Sequence, residues 1–240
     1  KDLDATGQTD VFYSIGSART AFTGQFDGMN HLISNLFMRG YVTGSPSHDV
    51  YAGLFAVIGT AGVVRNVGFE STSGSTSASP VGMIAGRNDG LITDAWVASG
   101  SVTSDDPFGA VGGGGLVGMN NGVIEQSWSA ASVQGAGALG GIAGINNGLI
   151  RQSYMAQGKV NGTTHTEAGG IAGTNRGTIN RTYSRGTIDA LTEGGLVADN
   201  EGVLEQSYAS NSIYDFRTRF PPNRLRMRLL SRWASPPIST

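Results

Sequence analysis

Three histidines, eighteen acids and no cysteine are the material for chemistry in this 240-residue sequence. The lack of Cys removes disulfides, thiolate zinc sites and cysteine nucleophiles together, and it assigns no compartment. The histidines stand in His31-Leu32-Ile33, His48-Asp49-Val50 and His165-Thr166-Glu167, so no HExxH exists and no ligand spacing is met. Asp105-Asp106 and Asp199-Asn200-Glu201 hold oxygens of the kind Ca²⁺ takes, but each is a short local group without a ligand-bearing loop and reads as solvated surface. No Ser lies in G-x-S-x-G, and Gly112-Gly113-Gly114-Gly115 is followed by no P-loop Lys-Ser/Thr, so it reads as a loop. What remains is glycoside chemistry, which needs two acids roughly 5 to 10 Å apart. Glu125 with Glu205, or Asp89 with Asp94, are the pairs to test against the fold.

The elements that would position these groups follow from an internal repeat. Five segments repeat one pattern: Gly82 to Trp96, Gly115 to Trp128, Gly141 to Tyr154, Gly170 to Tyr183 and Gly195 to Tyr208, the first longer by one residue at its start, so that Met83 stands where the others have their first Gly. Their pattern is G-[LIM]-[VIA]-[GA]-x-N-x-G-x-[IL]-x-x-[STA]-[YW]. Its Asn recurs at Asn88, Asn120, Asn146, Asn175 and Asn200, at intervals of 32, 26, 29 and 25 residues, and the aromatics Trp96, Trp128, Tyr154, Tyr183 and Tyr208 keep the same intervals. Variation in length is confined to the stretch between an aromatic and the next Gly.

Apolar runs of three to five residues, punctuated by Gly, are too short for helices and read as strands. Asn-x-Gly supplies a turn, because both residues tolerate positive φ. Three short strands in 25 to 30 residues predict one coil of a right-handed parallel β-helix, each strand pairing with its equivalent in the next coil. The odd spacing of Ile124 and Ser127 cannot keep both inside a flat strand, so a corner or bulge must separate them. The expected fold is all-β, a solenoid of about eight coils. Residues 1–80 form degenerate coils, 81–213 the five regular repeats and 214–240 a basic tail. Ser71 to Ser79 and Ser99 to Gly114 are expected to loop out of the rod, and Ile92, Ile124, Ile150, Ile179 and Leu204 to stack inside it.

This geometry weighs the candidates. Glu125 and Glu205 fall three coils apart, about 14 Å, too far to flank one bond. The Asn column reads as a ladder satisfying turn backbone rather than as a recognition stripe. The aromatic column is core or corner packing if it faces inward, and a set of ligand-stacking faces for a sugar or partner chain if it faces outward. No residue receives a catalytic, cofactor-binding or metal-binding role.

The stretch Gly115-Leu116-Val117-Gly118-Met119-Asn120-Asn121-Gly122-Val123-Ile124-Glu125-Gln126-Ser127-Trp128 resembles the GLUG motif repeat. Phe22-Thr23-Gly24-Gln25-Phe26-Asp27-Gly28 through Leu36 is similar to the segment that commonly precedes such repeats in large bacterial surface proteins. The resemblance covers roughly residues 20 to 213. It implies a right-handed β-helix in a secreted bacterial adhesin or filamentous haemagglutinin-like exoprotein. The same repeats accompany some surface metallopeptidases, whose HExxH is missing here.

Charge narrows the partners. Residues 1–216 hold 10 Lys/Arg against 18 Asp/Glu (net −8), while residues 217–240 hold six Arg and no acid (+6). An acidic body argues against nucleic acid. No apolar run approaches the ~18 residues of a membrane span. Lys1-Asp2-Leu3-Asp4 does not open a signal peptide, so the sequence reads as mature or as cut from something longer. The tail alternates as Arg224-Leu225-Arg226-Met227-Arg228-Leu229 and shares no pattern with the units before it; it reads as a strand covering the rod's end, as a basic peptide, or as foreign to the repeat protein. The expectation is a non-enzymatic stalk or adhesive segment at a cell surface, without cofactor, meeting a receptor or glycan. Its rivals are a carbohydrate-active β-helix enzyme and an ice-binding solenoid, for which Thr163-Thr164-His165-Thr166 is the nearest approach to a Thr array.

Overall fold

The computed structural model describes residues 1–10, 12–39, 51–76, 80–104 and 112–213. Among them the chain is strand, bridge and turn with no helix, and its strand pairings are parallel. Phe26, Val64, Ile92, Ile124, Ile150, Ile179 and Leu204 follow one another in register along one ladder. The described chain is therefore a β-solenoid of seven turns where about eight are expected. The first of these turns is longer than the repeat: 38 residues separate Phe26 from Val64, against 28 from Val64 to Ile92 and 25 between Ile179 and Leu204. At about 4.8 Å per turn the rod is roughly 30 Å long.

One turn shows the plan. Val123–Glu125 is followed by Trp128–Ser129, Ser132–Gly140 and Ala143–Asn146, four strands where apolar runs suggest three. The added strand is the aromatic position itself. Between Ile124 and Ser127 lies the required corner, made by Gln126 at φ 50°. Asn66, Asp94, Gln152, Arg181 and Gln206 repeat it at φ 53°, 51°, 50°, 52° and 48°. A left-handed non-Gly residue costs roughly 1–2 kcal/mol. Bonds between turns offset it: the Gln126, Gln152 and Arg181 N–H groups donate to the Arg151, Asn180 and Glu205 carbonyls at 3.3, 3.1 and 3.2 Å. The corner lets both Ile124 and Ser127 point inward.

The core is a column. Ile92, Ile124, Ile150 and Ile179 are fully buried on one wall, and Ala85, Val117, Ala143 and Ala172 on the wall that precedes the Asn-x-Gly turn. Leu204, in the last described row, is 40% exposed. At the [GA] position backbones come very close: a Cβ on Gly144 would lie 2.6 Å from the Gly112 Cα. At Gly144 only a residue without a side chain fits, whereas the last repeat carries Ala198 at this position.

Of the stretches expected to loop out, the described parts are strands: Thr72–Thr76, Gly100–Ser104 and Gly112–Gly114. Ser73, Ser101 and Ser132 align in neighbouring turns, so the adjacent coil supplies the pairing that their composition does not announce. Residues 77–79 and 105–111, with Asp105-Asp106, lie outside the described residues, as do His48 and the tail.

Candidate functional site

The Asn column is an unbroken chain of amides. Each Nδ2 donates to the Oδ1 of the next: Asn88 to Asn120, Asn120 to Asn146 and Asn146 to Asn175 at 2.8 Å, then Asn175 to Asn200 at 2.7 Å. The main chain locks the same turn. The Asn120 carbonyl accepts from the N–H of Asn147 at 2.7 Å and of Gly148 at 3.0 Å, one coil on. The first four of these Asn are fully buried. Above Asn88 the column holds Ile58, so the ladder begins against an apolar side chain. Buried and engaged with one another, the first four amides are closed to a ligand; only Asn200, in the last row, is exposed.

A second ladder escaped the sequence reading. The [STA] position places Ser127, Ser153, Thr182 and Ser207 inside, just past the left-handed corner. The Ser127 hydroxyl donates to the Glu125 carbonyl at 2.7 Å and accepts from the Ala95 N–H at 3.1 Å. Ser153 accepts from the Ser127 N–H at 3.2 Å, and Ser207 from the Thr182 N–H at 3.0 Å. The signal was in the pattern, as a small hydroxyl before each aromatic. Tolerance for Ala95 at that place disguised it.

The aromatics Trp96, Trp128, Tyr154, Tyr183 and Tyr208 lie in register on the outside of the rod, and all but the 61% exposed Tyr208 are half-buried. They are thus not core. Nor are the inner ones platforms. Trp128 and Tyr154 stack with centroids 5.8 Å apart at 9°, Tyr154 and Tyr183 at 4.6 Å and 8°, Tyr183 and Tyr208 at 5.6 Å and 13°. A sugar needs a free ring face, and Tyr154 and Tyr183 give both of theirs to neighbours. The stripe shows ring edges and hydroxyls instead. At its other end the Trp96 indole lies over Gly68, where a Cβ would collide with it. Burial, then the neighbouring Tyr154 and Tyr208, hold the Tyr183 phenol above its ordinary value of 10.0.

The acids are engaged one by one. Glu125 pairs with Arg151, whose Nε donates at 2.7 Å, and Glu205 accepts from Asn180 at 2.9 Å. These four occupy successive rows of one ladder, which keeps the two glutamates three turns apart. Asp89 pairs with Arg87 at 2.8 Å and accepts from Asn121 at 2.7 Å, while Asp94 sits at the far end of strand Leu91–Thr93. Glu201 accepts from Arg176 at 3.2 Å, and Asn200 belongs to the amide ladder. His31 contacts Asp2 at 3.2 Å and the amino terminus at 2.9 Å, so it ties down the first strand. There the Leu32 N–H, then His31, hold the Asp2 carboxyl below 3.8, and Asn35 with Thr6 does the same for Asp4. Thr166 is buried and bonded to the Thr163 N–H at 2.9 Å, which removes it from any outward Thr array. Among the described residues no group of three or more His, Asp or Glu could hold a metal ion, and no helix is long and apolar enough to cross a membrane.

Comparison with known proteins bears on the fold and on the kind of chain. No family model matches. Halomucin of Haloquadratum walsbyi is 31% identical over an alignment 143 residues long that covers 55% of this chain and 1% of halomucin. The chain thus spans a very small part of that relative's length. A crystal structure from Bacteroides ovatus, of a protein provisionally described as an immunoglobulin A1 protease, superposes with a TM-score of 0.66 at 21% identity, over 88% of this chain and 68% of that one. Likeness at that identity is a likeness of fold.

Proposed function

We propose that this chain is a non-enzymatic segment of a large, secreted or surface-displayed exoprotein of the GLUG-repeat kind, acting as stalk or adhesive surface toward a receptor or glycan. One observation carries the reading. Side chains that recur at fixed positions, whether Asn, Ser, Ile or aromatic, are partnered by the same position one turn away. That is a code for stacking, and an enzyme site is the opposite: unlike groups converging on one spot. Similarity to a short part of halomucin, by its name a mucin, supports membership of a long extracellular chain.

Contact with a ligand would fall to the outer stripe, where the Tyr154, Tyr183 and Tyr208 edges run beside the corner residues Gln126, Gln152, Arg181 and Gln206. Each turn would add a weak, equivalent contact, and several turns or several chains would add avidity. The test is a glycan-array screen run beside reducing-sugar, unsaturated-product and peptide-release assays on the purified chain. Binding without turnover, weakened by Gln152→Ala and Tyr183→Ala, is the expected result. Product release that vanishes on replacing one Asp or Glu would overturn it and favour the carbohydrate-active or peptidase alternative.

A further inference from the structure

Asn-Gly occurs three times in the sequence, as Asn121-Gly122, Asn147-Gly148 and Asn161-Gly162. This dipeptide carries a reaction of its own. The glycine nitrogen gives up its proton and bonds to the asparagine Cγ, the side-chain nitrogen takes up a proton and leaves as ammonia, and water opens the succinimide ring to aspartate or isoaspartate. Water is the only co-reactant. Glycine is the most reactive following residue because no Cβ hinders the peptide as it turns toward Cγ. Whether the ring closes is therefore decided by what holds that peptide and that amide.

At two of the three sites the fold holds both. The N–H groups of Asn121 and Gly122 donate to the Asn88 carbonyl at 2.7 and 3.0 Å, and those of Asn147 and Gly148 donate to the Asn120 carbonyl at the same two distances. Neither glycine has room to swing, since a Cβ on Gly122 would strike the Gly90 carbonyl and one on Gly148 the Gly122 carbonyl. The side chains are tied as well. Asn121 donates to Asp89 at 2.7 Å and accepts from the Asn147 amide at 2.9 Å.

Asn161-Gly162 lacks these restraints. Val160 points into the core, so Asn161 turns outward and is half-buried, and its amide makes no hydrogen bond among the described residues. Pairing with the following turn stops at Asn161, opposite Asp189. Pairing with the turn before slips just after Gly162, which faces Gly135, because the next aligned pair is Thr166 with Gly137. The peptide that must rotate thus lies at a break in the sheet. We propose that Asn161 is a site of deamidation in the folded rod, and that Asn121 and Asn147 react only when their turns open. The product sets a carboxylate directly across from Asp189, and like charges so opposed weaken the pairing of Lys159–Asn161 with Thr187–Asp189. Isoaspartate also adds a carbon to the main chain of a strand paired on both sides. Conversion at Asn121 or Asn147 becomes a chemical record that the turn has come apart.

The full chain tests this without any substitution. It is kept warm at mildly alkaline pH, folded or in urea, and the amide-to-acid conversion of each site is followed by peptide mapping with mass spectrometry. In the folded chain Asn161 is expected to convert roughly tenfold or more faster than Asn121 and Asn147, and in full denaturant the three should agree within about threefold. A folded-state rate at Asn161 no higher than at the other two overturns the proposal. So does a tenfold gap that persists in full denaturant, which would assign the order to neighbouring residues and not to the fold. Urea below the unfolding midpoint gives a second readout. Rates at Asn121 and Asn147 should climb with urea, because each waits for its turn to open, while the rate at Asn161 stays level. An equal climb at all three sites would also overturn it.

Discussion

An amide buried in the middle of a rod is tolerable only while both of its neighbours are amides. Asn146 satisfies Asn120 on one side and Asn175 on the other, so Asn146→Ile strands a buried donor and a buried acceptor. Each such orphan costs about 1–3 kcal/mol. Asn200→Ala, in the exposed last row, takes from the Asn175 amide only one of its acceptors, while its bond to the Val203 carbonyl stays and solvent reaches the gap. Chemical denaturation of the two variants should therefore show the Asn146 variant losing at least twice as much stability. Equal losses would mean that the turn backbone, not the ladder, carries the energy. The Asn column was legible because its spacing is invariant. The corner was legible only as a need for a bend between Ile124 and Ser127; Gln and Arg give no hint of positive φ, and it is bonding to the next turn that holds them there.

Strands in this molecule have little stability of their own. Leu149–Arg151 is three residues long, and its only wholly buried side chain is Ile150, whose burial is worth about 1.5–3 kcal/mol. Its worth lies in serving the turns on both sides. Ile150→Asp should lower protection from hydrogen exchange in Val123–Glu125 and Thr178–Asn180 as well as in its own strand, while Val63–Glu70 is spared. Loss spread evenly to Val63–Glu70 would show one cooperative unit instead. The same dependence explains why Gly100–Ser104 did not read as a strand: Ser, Thr and Gly carry little β signal, and the pairing comes from Thr72–Thr76 and Ser132–Gly135 on either side. Periodicity along the chain reveals the repeat but not such borrowed strands.

For the whole molecule, the repeat specified the architecture and the acids could be ruled apart by counting turns, whereas the fate of the aromatic faces depended on stacking that no spacing reveals. Contacts between turns run along the rod, and each joins a turn only to the next. A pull applied along the axis therefore loads those contacts in series, and the weakest turn peels away while the others hold. A freed turn of 25 to 38 residues unravels to roughly 80–135 Å of chain in exchange for about 5 Å of rod. Stretching a single molecule should give a sawtooth whose increments match single turns of 25 to 38 residues, whereas one large release would mean collapse as a unit. A tether that lengthens step by step under load keeps its grip on a surface through shear that would snap a rigid one.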